Sequence, residues 1–340
     1  MASTELHETA RAIVADHKGI LAADESTGTI KKRFDSIDVE STEESRRFYR
    51  QLLFTAPGME DAIGGVILYD ETIRQKADDG TPFPELLASK GSIPGIKVDT
   101  GAHDLAGFPG EKVTEGLDGL RPRLEEYASL GARFAKWRAV ITIGEGIPTD
   151  ACLRANAHAL ARYASLCQEA GIVPIVEPEV LMDADNTLET CWEVTTRTLH
   201  ETFDALYELG IDLQGALLKP NMVISGKGCP AQASSERIAE ATIDCFLGVV
   251  PAAVPGIVFL SGGQSEVEAT ENLNAINKLG GPWPLSFSYG RALQASALAA
   301  WGGHAANAEA AQAAFAHRAR MNALAAAGAW SAELEQPVTA

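Results

Sequence analysis

The chain has 340 residues, 46% of them hydrophobic and 22% charged, enough for one large α/β barrel or two ordinary domains with a sizeable core. Its formal net charge of −18 argues against nucleic acid as a partner, because that binding rests on dense Lys and Arg patches. No apolar run approaches the roughly 18 residues of a membrane span, and MASTELHETARAIVADHKG has no basic n-region followed by an apolar h-region, so a cytoplasmic protein with no membrane contact is expected.

Eight strand-like runs follow one another along the chain: 19–25, 64–70, 94–100, 132–138, 171–180, 213–220, 256–262 and 284–290. Helical patterns separate most of them. The segment 41–54 opens with a Ser-x-x-Glu box at Ser41 and Glu44, 153–171 ends on a glycine stop, and 188–210 is a third. Strand then helix, repeated, implies a parallel sheet with helical crossovers. Eight strands in one chain of this length point to a (β/α)8 barrel, the TIM-barrel architecture. An open doubly wound sheet is the blander alternative, but G-x-G-x-x-G after an early strand is absent. The expectation is one domain over 1–340, with 292–340 forming C-terminal helices and a loose end, PVTA. Five widely spaced cysteines without a C-x-x-C pair suggest free thiols rather than disulfides or a zinc site.

The chemistry lies where the strands end. These ends carry Asp24-Glu25-Ser26, Lys97 and Asp99, Lys136 and Arg138, Glu177 and Glu179, Lys219-Pro220, Ser261-Gly262-Gly263, and Ser288-Tyr289-Gly290-Arg291. In a (β/α)8 barrel those ends form the catalytic face. Lys136 and Arg138 are two residues apart, as are Glu177 and Glu179, so each pair projects to one side of its strand. A single charge at a strand end is usually just solvated. Six strands ending this way, after apolar runs such as GALLK and FAKWR, would carry partly buried charges that must pair or act.

Three lysines and two carboxylates at a barrel mouth suit covalent amine catalysis. A lysine is nucleophilic only when deprotonated, a state that burial or an adjacent cation favours. Lys219 closes an apolar run and is the best placed, with Lys136 as the neighbouring cation. Glu177 or Glu179 can act as the acid that removes a carbinolamine hydroxyl, and Asp24 as the base toward a substrate hydroxyl. Ser261-Gly262-Gly263 and Tyr289-Gly290-Arg291 form glycine-rich turns of the kind that hold phosphate. Across the mouth, Ser26, Thr29, Arg33 and Lys97 could hold a second. Two anion sites flanking a lysine suggest a bisphosphorylated carbonyl compound.

The runs KGILAADESTGTIKKRF, GIKVDTG, FAKWR, IVPIVEPE, LLKPNMV, FLSGGQSE and FSYGRALQASAL resemble, in order and from about His17 to about Leu324, the signatures of class I fructose-bisphosphate aldolases. The resemblance implies Lys219 as the Schiff-base lysine, Glu177 as proton donor and acceptor, Asp24 as the base for carbon–carbon cleavage, and Lys136 and Glu179 in support. It implies Ser261, Gly262 and Arg291 at the C1 phosphate of the substrate, with Ser288 and Gly290 on the same strand end. Ser26, Thr29, Arg33, Lys97 and Arg138 would lie toward the C6 phosphate. It further implies a cytosolic homotetramer that needs no metal or other cofactor. A metal-dependent aldolase would need clustered histidines, whereas His7, His17, His103, His158, His200, His304 and His317 are scattered. A Schiff-base lyase of the transaldolase kind would not need both phosphate sites. A non-catalytic barrel would more readily have lost Lys219 or Glu177. Animal and plant members end in a tyrosine that folds over the site; here the last tyrosine is Tyr289 and the chain closes EQPVTA.

Overall fold

The computed structural model describes residues 2–335. Eight parallel strands close into a barrel: β1 (Gly19–Ala23), β2 (Ile63–Leu68), β3 (Ile93–Lys97), β6 (Phe134–Ile141), β7 (Val173–Val180), β8 (Leu217–Leu218), β9 (Ile257–Phe259) and β10 (Leu285–Tyr289). Between β3 and β6 an antiparallel hairpin intervenes, β4 (Gly101–Asp104) with β5 (Lys112–Glu115). Around the barrel the order is β1, β10, β9, β8, β7, β6, β3, β2, so each barrel strand neighbours the next in sequence and β10 closes onto β1. All eight strand runs read from the sequence became barrel strands. The hairpin went unread because GAHD and KVTE are short, polar and largely exposed, with no alternation to mark them.

Side-chain alternation along the strands sets the interior in layers. Ile20 and Ala22 of β1, Phe134 of β6, Val173 and Ile175 of β7, Leu217 of β8 and Val258 of β9 fill the inner core. Period two then carries β6 from Phe134 to Lys136 and Arg138, β7 from Ile175 to Glu177 and Glu179, and β8 from Leu217 to Lys219. The charged mouth therefore stands on an apolar floor. The first helix, Ala2–Ile13, closes the far end, its Leu6, Ala10 and Ile13 joining that floor. Gly64 is required there, since a Cβ on it would lie 2.2 Å from the Ile13 carbonyl oxygen. Gly95 is required by Phe134, whose ring atoms would approach a Cβ to 2.3 Å.

The outer face of the barrel packs on the helices through a much larger apolar cluster. The helix expected over 41–54 runs Glu43–Phe54, and its box is not Ser41 with Glu44 but Thr42 with Ser45. A serine hydroxyl at that third position reaches back to the Thr42 N–H at 2.9 Å. The other two expected helices run Asp150–Glu169 and Leu188–Glu208, each started by a threonine cap, Thr149 and Thr187. Gly171 and Gly210 follow their ends at φ 71° and 65°, where a Cβ would strain. The C-terminal helices are Arg291–Trp301 and Ala308–Ala326, followed by a short 3₁₀ turn at Ala332–Glu335. The PVTA end lies outside the described residues. All five cysteines are buried and free.

Candidate active site

At the carboxyl ends of β1, β3, β6, β7 and β8, three carboxylates and three ammonium groups converge. Lys136 Nζ lies 2.8 Å from Asp24 Oδ2, 3.4 Å from Glu177 Oε2 and 3.9 Å from Asp99 Oδ2. Lys219 Nζ lies 3.3 Å from Glu177 Oε1, so one carboxylate bridges the two lysines. Lys97 Nζ sits 2.7 Å from Asp99 Oδ1 and donates to the Asp99 carbonyl at 2.8 Å. Lys136, Glu177, Lys219 and Asp99 are all buried. Charges so deep persist only because they compensate one another.

The electrostatics follow from that crowding. Burial opposes ionisation of Asp24, but the ammonium groups of Lys136 and Lys219 outweigh it and hold the carboxyl well below the usual carboxylate range. Burial likewise opposes the charge on Lys136, and Asp24, Glu177 and Asp99 together overcome it, raising Lys136 above an ordinary lysine. At neutral pH Asp24 is thus a carboxylate and Lys136 an ammonium. Glu179 is engaged differently: its Oε2 pairs with Arg138 Nε, and its Oε1 is 3.1 Å from where a Cβ of Gly262 would be. It belongs to the rim near β9 and makes no ion pair with either central lysine among the described residues.

The remaining predicted residues form the rim. Ser26 caps the helix Thr27–Asp35, accepting from the Thr29 N–H at 3.4 Å, and the two hydroxyls are 3.1 Å apart. Arg33, on that helix, pairs with Glu25 and reaches the end of β10, where its Nη2 is 3.4 Å from a Cβ built on Gly290. Ser288 is buried with its hydroxyl unpartnered. Arg291 opens the helix after β10, is exposed, and makes no ion pair among the described residues. Ser261 is buried at the end of β9, ahead of Gly262 and Gly263. Lys97 stands on the other side of the mouth, at the end of β3.

Sequence reasoning named Asp99 and Glu25 as strand-end residues without giving them a part. Asp99 ties Lys97 to Lys136. Glu25 accepts from Arg33, from the buried Arg50 and from Gln294 Nε2 at 3.1 Å. Arg50 had a signal, since it lies beside Tyr49 and three residues from Leu53 on the buried stripe of its helix. Among the described residues no group of His, Cys, Asp and Glu is arranged to hold a metal ion, and no helix is long and apolar enough to cross a membrane.

The barrel and its buried lysine–carboxylate centre define a barrel lyase that works through an amine. Residues 5–340 match the family description "Fructose-bisphosphate aldolase class-I". The chain is 60% identical over 332 residues to a probable fructose-bisphosphate aldolase class 1 of Xanthomonas campestris pv. campestris, covering 97% of this chain and 99% of that one. It is 54% identical to the non-muscle fructose-bisphosphate aldolase of Lethenteron camtschaticum, covering 95% and 90%. Among solved structures it is similar to the fructose-bisphosphate aldolase of Plasmodium falciparum, crystallised with TRAP and a small-molecule inhibitor, with TM-score 0.96, 50% identity and coverage of 97% and 96%. The chain belongs to the class I fructose-bisphosphate aldolase family, lyases that act through a Schiff base without a metal.

Proposed function

We propose that this chain cleaves fructose 1,6-bisphosphate reversibly with Lys219 as the imine-forming residue, and that the observation carrying the assignment is the Glu177 bridge. Lys219 Nζ passes a proton to Glu177, 3.3 Å away, and as a free amine attacks the C2 carbonyl; the nitrogen's surplus proton moves to the new alkoxide, and Glu177 then gives the proton with which the carbinolamine oxygen leaves as water. The C3–C4 electron pair then flows into the iminium, giving an enamine, as Asp24 takes the C4 hydroxyl proton and the aldehyde departs. Protonation of the enamine and hydrolysis of the imine release the ketose phosphate. The ionised state of Asp24 suits a base, and the ammonium of Lys136 at 2.8 Å orients it. Glu179 acts in support by holding Arg138.

Ser261, Gly262, Ser288, Gly290 and Arg291 take the C1 phosphate, where backbone N–H groups at a glycine turn meet an arginine. Ser26, Thr29, Lys97 and Arg138 lie toward the C6 phosphate. Arg33, beside Gly290, stands between the two groups. The continuous barrel supports a single domain over 1–340 with helices and tail from 292, and membership of the family supports a cytoplasmic homotetramer, with neither nucleic acid nor membrane as partner.

Borohydride added with dihydroxyacetone phosphate tests the assignment. It should inactivate the enzyme, with or without EDTA present, and add mass to the peptide bearing Lys219. Full activity after treatment, or labelling confined to Lys136, would overturn it.

A further inference from the structure

The segment after Lys219 packs its Met222, Val223 and Ile224 into the outer apolar cluster and is stitched to the segment after β7. Gly226, Lys227 and Gly228 donate backbone N–H bonds of 2.9 Å each to the carbonyls of Asn186, Met182 and Ala184. The seam is close: a Cβ on Gly226 would meet the Ala184 carbonyl oxygen at 2.3 Å. This places Lys227 over the glycine turn after β9. A Cβ on Gly263 would lie 3.1 Å from Lys227 Cε and 2.4 Å from Met182 Cγ, so the Gly263 Cα is at most one carbon–carbon bond further from that methylene. Gly263 itself has φ 79°, in the left-handed region that favours glycine.

The ammonium is parked on Asp183 at 2.9 Å, with Lys227 49% and Asp183 66% exposed at their side chains. Such a surface pair is worth little and opens readily. A phosphate at the turn has a harder problem. Glu179 lies beside Gly262 and Asp183 stands at the rim, so a dianion arriving there meets two carboxylates, one of them neutralised by Arg138. A cation within reach of the same turn removes the difficulty.

We propose that Lys227 is a further phosphate-binding residue at the β9 turn, and that it exchanges Asp183 for the substrate phosphate when the site fills. The inference rests on the reading of Ser261-Gly262-Gly263 as the C1-phosphate turn and adds to it a residue that the family resemblance did not supply. Asp183 is the resting partner, and it rehydrates at little cost once the lysine leaves.

Two substitutions separate this role from a structural one, because both break the Lys227–Asp183 pair. Lys227→Gln should raise KM about 5- to 20-fold, the weight of one charge-assisted contact to phosphate, and Lys227→Arg should restore most of it. Asp183→Asn, which frees the lysine, should lower KM about 2- to 3-fold, within the worth of an exposed pair. Fructose 1-phosphate and fructose 1,6-bisphosphate should shift by the same factor, because both carry the C1 phosphate. Equal movement of KM in one direction by Lys227→Gln and Asp183→Asn would reduce the pair to scaffolding and overturn the proposal. So would a loss confined to the bisphosphate. Gly262→Ala is the control for the underlying reading, since its Cβ would crowd the turn, 2.9 Å from Met182 Sδ. If Gly262→Ala raises KM and Lys227→Gln does not, the turn binds phosphate without the lysine. If neither moves KM, the reading of the turn fails and the proposal with it.

Discussion

Glu177→Gln isolates the step that the geometry assigns to one carboxyl group. The side chain sits with one oxygen 3.3 Å from Lys219 and the other 3.4 Å from Lys136. The amide preserves volume and keeps one acceptor oxygen. Whichever way it turns, its NH₂ faces an amine, and it has no proton to give to a carbinolamine hydroxyl. A positioned general acid contributes about 10²–10⁴-fold, so kcat should fall by that factor, or about 2.7–5.5 kcal/mol in barrier. On the proposed assignment both phosphates meet the rim rather than Glu177, so KM should move by less than about threefold, no more than ~0.7 kcal/mol of binding. The assay is steady-state cleavage of fructose 1,6-bisphosphate coupled to reduction of the triose phosphates. It should be paired with the rate of borohydride trapping, which should slow in parallel because dehydration precedes the imine.

Burial makes a folding control necessary, and a melting curve supplies it. If the folded variant loses less than about tenfold in kcat, ~1.4 kcal/mol, proton transfer belongs elsewhere. Glu179, two residues further along β7, would then become the candidate. Its own substitution offers a contrast, because Glu179→Gln releases Arg138 at the rim and should act mainly on KM.

Lys136→Met leaves Asp24, Asp99 and Glu177 facing only Lys97 and Lys219, which should cost about 3–5 kcal/mol at neutral pH. In the parent, Asp24 has a depressed folded pKa, so its contribution is present above the unfolded value near ~4 and is lost as pH falls through the folded value. In the variant the chief depressing charge is gone and burial raises that carboxyl. The difference in urea midpoint should therefore be large at pH 8 and shrink toward pH 4; a constant difference would mean that Lys136 acts through packing alone. Deleting Ser331–Ala340 should lower Tm by about 2–5 °C, because Glu335 accepts from Arg318 at 2.9 and 2.6 Å and from Trp330 Nε1 at 2.8 Å. It should leave kcat/KM nearly unchanged, since Glu335 is thereby held away from acid duty; a loss of about tenfold or more in a folded protein would show that the tail serves the site.

The barrel was legible because its strands are short apolar runs with helical patterns between most of them, and the charged residues that interrupt those runs fall at or just past one end of all but the seventh, GIVFLSG. Alternation also placed Lys136 with Arg138 and Glu177 with Glu179 on common sides. It could not say which glutamate meets Lys219, because both point inward and only the stagger between β7 and β8 decides. The choice of cap at Thr42 over Ser41 was equally local, turning on one residue of helix phase. Arg50 showed as a buried position on its helix stripe, but that it and Gln294 share Glu25 was beyond reach, since helices far apart in sequence bring them together. Lys227 carried no signal at all: a lysine between glycines in SGKGC reads as a solvated loop until the seam with Met182, Ala184 and Asn186 is seen.

The division of charge across the mouth explains how an acidic protein handles an anionic substrate. At the centre, Asp24, Asp99 and Glu177 balance Lys97, Lys136 and Lys219 one for one, and all but Asp24 and Lys97 are buried. Such a neutral cluster offers no net pull on a phosphate, and salt screens it poorly. At the rim the balance is different. Glu25 is shared by two arginines, Arg33 and Arg50, which leaves one positive charge in excess. Arg291 is exposed with no ion pair among the described residues, and Lys227 is held only by a solvated aspartate. Attraction for phosphate is therefore concentrated where solvent reaches, and proton transfer where it does not. The centre can keep Asp24 ionised and Lys136 charged whether or not substrate is bound, because its compensation is internal. A bisphosphate entering such a mouth meets the rim charges first, and of the central six only Lys97 is also proposed to face a phosphate, so binding and chemistry draw on largely separate sets of charges.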